Sequence, residues 1–281
     1  MAAGQQEGCQ EREAAPPLFW RWQPSASPRA TIVVVHGLGE HSGRYGHVFD
    51  ALNTGGYSCL AIDRRGFGQS GGPRACLERF EDYLDDVDAG FELAQSLGGQ
   101  SARLLLGHSM GGLIAARYAQ ERGGNLAGVA RSSPGLAILG EVPLWKHALG
   151  VVLSRLAPRF SLPTDIDPDD LSHDRAVVEA LSCDPLIVGV IPARLYPELR
   201  LNQAIAMERA ARIPCPLLLQ AAEPDQVVDV AGTHRFLGRL DGVHVEAYFY
   251  PGLHHEIFNE LEKEKVLGHL VGWLDGRGFD S

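Results

Sequence analysis

The chain has no pair of cysteines at redox or metal-motif spacing. Its five cysteines, Cys9, Cys59, Cys76, Cys183 and Cys215, are odd in number and scattered, which excludes a fully paired disulfide framework and implies free thiols in a reducing compartment. It also lacks a surplus of cationic residues: the formal net charge is −10, which argues against a nucleic-acid partner, since binding one needs clustered Lys and Arg. No run approaches the ~20 apolar residues that cross a bilayer. The opening MAAGQQEGCQEREAAPP has neither the basic start nor the apolar stretch of a secretory leader, so the expected location is cytoplasmic. His and Cys do not cluster, and His254-His255 lack the i, i+4 spacing of a helical zinc pair, so neither metal nor cofactor is expected. Internal repeats and low-complexity tracts are missing as well.

What is present is a rhythm of strands and helices. The apolar, β-branched run Thr31–Val35 reads as a strand buried on both faces, as in a parallel sheet. Further strands are expected at Tyr57–Ile62, Arg103–Leu106, Ala127–Arg131, Pro216–Ala221 and Val243–Tyr248. Helices are expected at 45–54, 80–97, after GHSMGG to about Arg122, at 227–240 and at 261–274. This alternation predicts right-handed βαβ units, an α/β fold with a mostly parallel sheet and helices on both faces. Between 134 and 213 the rhythm breaks into a Pro-rich, helical stretch without a clear strand. The expected organisation is a loose arm at 1–17, a core built from 18–133 and 214–281, and a helical insertion at 134–213.

GHSMGG supplies G-x-S-x-G at Gly107, Ser109 and Gly111, between a buried strand and a helix. A sharp strand-to-helix turn exposes the serine hydroxyl, and small neighbours let the backbones pass. The helix start turns free N–H groups toward the oxygen on which charge develops. A nucleophilic serine needs a base, and the base needs a carboxylate, in the chain order Ser, Asp or Glu, His. Asp225, in the loop after the 216–221 strand, is favoured over Glu223, nearer the strand, and Asp229, at the next helix. FYPGLHHEIFNE then offers His254 and His255, and spacing alone does not choose between them.

Together HGLGEHSGRY (36–45), AIDRRGFGQSGG (61–72), GHSMGG (107–112), LSHDRAVVEALSCDPL (171–186), AAEPDQVVD and YPGLHHEIFNE (250–260) resemble the monoglyceride lipase and lysophospholipase group of α/β-hydrolases, within the serine aminopeptidase S33-like family. The resemblance covers nearly the whole chain after residue 18. It implies the α/β-hydrolase fold with a helical cap, Ser109, Asp225 and His255 as catalytic residues, and an oxyanion hole from the N–H groups of Leu38 and Met110. His36 then braces the oxyanion loop. It further implies substrate contact by Glu40 and Arg44, for which pinning of the loop is the alternative. One departure stands out: the mammalian monoglyceride lipases carry a His three positions after the catalytic one, where this chain has Phe258, and this puts a glycerol contact in doubt.

The implied activity is hydrolysis of small lipid esters, monoacylglycerol or lysophospholipid-like, through an acyl-enzyme on Ser109. The alternatives are a prolyl-type serine aminopeptidase, which needs an acidic anchor such as Asp165, Asp167, Asp169 or Asp170, a short-chain carboxylesterase, and a non-catalytic binding protein of the same fold. In PLWKHALGVVLSRLAPRF (143–160), Trp145, Leu149, Val152, Leu153 and Leu156 share one helical face beside the basic Lys146, Arg155 and Arg159. That face either packs on the core or rests transiently on lipid aggregates and membranes as a gate.

Overall fold

The computed structural model describes residues 4–99, 102–140 and 144–278. In chain order the elements are β1 (Gln6–Gln10), β2 (Leu18–Gln23), β3 (Ala30–Val35), α1 (Gly46–Thr54), β4 (Tyr57–Ile62), α2 (Glu81–Ser96), β5 (Arg103–His108), α3 (Met110–Arg122) and β6 (Leu126–Ser132). They continue with α4 (Leu144–Leu156), β7 (Ser161–Pro163), α5 (Arg175–Cys183), β8 (Val190–Pro192), α6 (Leu195–Glu208), β9 (Leu217–Glu223), α7 (Val230–Leu237), β10 (Val245–Pro251) and α8 (Lys263–Asp275).

One 8-stranded sheet runs in the order β1-β2-β4-β3-β5-β6-β9-β10. From β4 to β10 every pairing is parallel; β1 and β2 join antiparallel at one edge. Because side chains alternate, each central strand serves two cores. Val33, Val35, Leu105, Val129 and Leu217 face α2, α3 and α7 on one side. Ile32, Val34, Leu104, Leu106 and Leu218 face α1 and α8 on the other. Burial on both faces is why these strands are apolar without alternation. No helix among the described residues is long and apolar enough to cross a membrane.

The structure departs from the sequence-based expectation in two segments. Within the arm expected at 1–17, residues 6–17 are held in place: β1 pairs with β2, and Arg12 donates to the buried Asp86 and to the carbonyl of Pro16. β1 reads as a loop because QEGCQ is polar throughout, and an edge strand with exposed faces has no apolar side to show. The stretch between β6 and β9 does hold strands, the short antiparallel pair β7 and β8. Its last helix, α6, joins the main core through Leu195 and Ala206 and is tied to α3 by Arg117 donating to Asn202 at 2.9 Å.

One core residue has no partner of its own kind. Arg131 on β6 is buried beside Val129, its three guanidinium nitrogens find no acceptor among the described residues, and its charge lies 4.2 Å over the ring of Phe236. Burial pulls its pKa down to about 9. The folded value is thus below the unfolded one, so at neutral pH, where both states are protonated, the burial penalty is fully present and is relieved only as pH rises through the folded value. The ring contact returns part of it. Arg131→Met should therefore stabilise the protein by about 1–4 kcal/mol, raising its melting temperature by several degrees; a lower melting temperature would contradict this account.

Candidate active site

The site begins where β5 meets α3. Ser109 sits between them at φ 51°, ψ −118°, a conformation that costs a side-chain-bearing residue roughly 1–3 kcal/mol. Its carbonyl accepts hydrogen bonds from the N–H groups of Gly112 (2.9 Å), Leu113 (3.2 Å) and Gly135 (2.8 Å), which hold the turn in place. The flanking glycines answer to close approaches. A Cβ at Gly107 would lie 2.2 Å from the Gly111 carbonyl oxygen, and one at Gly111 would lie 2.1 Å from that of Val35. With no room for a methyl group, α3 starts directly against β3 and the Ser109 hydroxyl stands clear at the sheet's C-terminal edge.

Two loops at that edge reach Ser109. After β10, His255 turns Nε2 to the Ser109 Oγ at 2.8 Å and Nδ1 to Asp225 Oδ2 at 2.7 Å. Asp225, after β9, also accepts from the N–H groups of Val227 and Val228 through Oδ1. Burial pushes its carboxyl pKa up, but His255 and the two backbone donors outweigh this and hold it below the usual range. The other candidates are engaged elsewhere. Glu223 contacts His234, Asp229 caps α7, and His254 faces Glu260 and His173 instead of Ser109.

The loop after β3 supplies the remaining wall. Neither the Leu38 nor the Met110 N–H bonds an acceptor among the described residues, and both residues line the cavity above Ser109. His36 is buried and its pKa lowered by burial and by Arg64; as a neutral ring it accepts the Arg64 N–H at Nε2 and donates from Nδ1 to the Gly37 carbonyl. It braces the loop, as the sequence suggests. Glu40 accepts from Gly37 N–H and the Tyr45 hydroxyl, and Arg44 donates to Glu40 at 3.0 Å. Arg44 also forms a two-pronged bond with Glu256, 2.6 Å on each arm. Glu40 and Arg44 line the cavity, yet their hydrogen bonds pin the loop. Sequence reasoning missed Glu256, although it adjoins His255; only the fold brings it to Arg44.

Residues between β6 and β9 roof a cavity of about 500 Å³, within the range of small-ligand sites. Its lining is chiefly apolar, including Ile138, Ile166, Leu171, Val188 and Leu199, with Ser109 and His255 at its floor. Phe258 is not among the lining residues. It lies 3% exposed in the core on the α1 and α8 side and offers the cavity no polar contact. None of Asp165, Asp167, Asp169 and Asp170 lines the cavity either. On α4, Trp145, Leu149, Val152 and Leu156 are exposed, the last at 80%, while Leu153 is half-buried, so most of the apolar face does not pack on the core. Pro143 and the side chain of Lys146 lie outside the described residues.

Residues 26–262 match the family model described as serine aminopeptidase, S33. The chain is similar to a monoacylglycerol lipase of Mycolicibacterium smegmatis, 34% identical over 90% of each chain. It is also similar to a phospholipase of Bacillus subtilis, 32% identical over 92% of this chain and 99% of the other. The crystal structure of Paleococcus ferrophilus monoacylglycerol lipase superposes with a TM-score of 0.85 at 34% identity, covering 92% of this chain and 99% of that one.

The Glu40–Arg44–Glu256 group sets a testable energetic condition. Arg44 holds the buried Glu256 carboxyl below its usual pKa against the upward push of burial. A depressed carboxylate stabilises the fold above its unfolded pKa, about 4.3, and that contribution is lost as pH falls through the folded value. Arg44→Met leaves two buried carboxylates without their cation and should cost about 3–5 kcal/mol at pH 7. In denaturant melts the difference from wild type should shrink in acid; a difference independent of pH would refute the assignment.

Proposed function

Because the chain belongs to the serine aminopeptidase S33 family and has the α/β-hydrolase fold, it is a hydrolase, and we propose that it cleaves monoacylglycerol or lysophospholipid-like esters through an acyl-enzyme on Ser109. The observation that carries this reading is the hydrogen-bonded series Ser109–His255–Asp225 at the floor of an apolar cavity. His255 Nε2 takes the Ser109 proton as Oγ attacks the ester carbonyl. The N–H groups of Leu38 and Met110 receive the developing oxyanion, a contribution whose loss costs about 10²–10³ in rate per donor. His255 then protonates the leaving alcohol, and water repeats the cycle on the acyl-enzyme. Asp225 keeps Nδ1 protonated, which leaves Nε2 free to act as base.

Three features support an acyl substrate over a peptide amine. The lining is chiefly apolar, relatives are named as monoacylglycerol lipase and phospholipase, and no spare carboxylate among the described lining residues is offered to a free amino group. Glu40 and Glu256 are committed to Arg44, and Asp184 to His41 at 2.8 Å. Glu40 and Arg44 act on the substrate's polar end by fixing the loop that carries Leu38.

A fluorophosphonate probe should label Ser109, and Ser109→Ala should abolish both labelling and turnover. Asp225→Asn should lower kcat on the order of 10³–10⁴-fold. Monoacylglycerols should be cleaved and prolyl naphthylamide left intact; unlabelled folded protein would point to a non-catalytic binder, and cleavage of the amide to an aminopeptidase.

The stretch 134–213 acts as the cap, and the exposed face of α4, flanked by the exposed Arg155 and Arg159, is where it meets lipid aggregates. Replacing Leu149, Val152 and Leu156 together by Ser should reduce hydrolysis of long-chain esters in vesicles several-fold more than that of short soluble esters. Equal losses on both would rule out the gate.

A further inference from the structure

Beside the catalytic loop lies a second group of side chains that the ester chemistry does not use. His173, in the loop before α5, meets His254 and Glu260, in the segment after β10, and one ligand atom from each lies within 4.8 Å of the others. The sequence hides the group because its members come from the insertion and from the far end of the core.

The local geometry is that of a ligand set. The His173 and His254 rings overlap face to face, their centroids 3.6 Å apart and their planes tilted by 35°, so one ring must turn before both nitrogens meet a single ion. His173 Nδ1 is 2.8 Å from Glu260 Oε1. His254 Nδ1 is buried and has no hydrogen-bond partner among the described residues, the state of an imidazole nitrogen that lacks its acceptor or its ion. Glu260 is 1% exposed at its side chain, and the N–H groups of His254 and Leu261 hold its carboxylate, as outer hydrogen bonds orient metal-binding carboxylates. Two imidazoles and one carboxylate suit Zn²⁺ rather than Ca²⁺ or Mg²⁺, which prefer oxygen.

We propose that His173, His254 and Glu260 form a Zn²⁺ site that joins the insertion to the loop carrying His255. Zinc bonds of about 2.0–2.2 Å place tetrahedral ligands roughly 3.3 Å apart, so atoms now up to 4.8 Å apart must close by up to about 1.5 Å while the His173–Glu260 pair at 2.8 Å opens slightly. His173 makes that movement: its side chain is 45% exposed, whereas Glu260 is fixed. Solvent supplies the fourth ligand. The joint is already hydrogen bonded, Glu256 N–H to the Leu171 carbonyl at 2.9 Å and Ser172 Oγ to that of Asn259 at 2.8 Å. The ion therefore adds a further tie between this part of the insertion and the segment next to the base. The site stands apart from the ester reading, since neither His173 nor Glu260 touches Ser109.

The test is titration of the full chain with Zn²⁺ against a chromophoric chelator, after alkylation of exposed thiols, with thermal melting in parallel. Wild type should bind one Zn²⁺ per chain and melt higher with it. His173→Ala should bind at least tenfold more weakly and lose the zinc-dependent shift, read against the variant's own metal-free melting temperature; His254→Phe should lose it too. With Co²⁺ as the probe, wild type alone should show the visible absorption of a four- or five-coordinate ion. No stoichiometric binding, or binding unchanged in both variants, overturns the proposal.

Discussion

The contact of three backbones at the start of α3 constrains everything around it. Gly111 lies so close to the Val35 carbonyl, and Gly107 to that of Gly111, that no side chain fits between them. The helix is thereby pressed onto the parallel strands, and Ser109 is left in a left-handed turn with its hydroxyl exposed. The strain has to be borne by neighbours, and it is: β6 and the Gly135 segment hydrogen bond the Ser109 peptide on both sides. A looser corner would relax the serine and move it away from His255.

A second layer of order comes from charges taken out of water. Asp63 accepts from Ser42 and Gln69, so the loop after β4 supports the loop after β3. Arg44 then links that loop to the segment carrying His255 through Glu256. These pairs are poor sources of net stability but good at selecting one arrangement, since any other leaves a buried charge uncompensated. The loop that carries the proposed donor Leu38 is thus fixed before any substrate arrives, which suits the proposed role in stabilising charge that appears only during reaction.

Much of this could be read in the residues. The unalternating strands, the order of Ser109, Asp225 and a following histidine, and the strand-to-helix setting of GHSMGG each leave a local signature, while the choice of His255 over His254 comes from the family resemblance; α1, α2 and α8 fall within a few residues of where periodicity puts them. What stayed hidden depends on distant partners. Phe258 sits three positions from His255 yet points into the core, because the loop after β10 reverses there. The apolar face of α4 cannot be told from a packed one by spacing alone. His173 and His254 read as two ordinary polar residues until the insertion folds over the core.

The polar strand β1 has a further meaning. The sheet would otherwise end at β2, whose LFWRW carries large apolar rings on an unpaired backbone. β1 occupies that backbone with a short, hydrophilic strand, and Arg12 clasps it to Asp86 beneath. Chains in a crowded solution are thereby denied an adhesive border on which to stack. The few residues ahead of Pro16 serve as a hem: they add nothing to the reacting centre, but they keep one molecule from being sewn to the next.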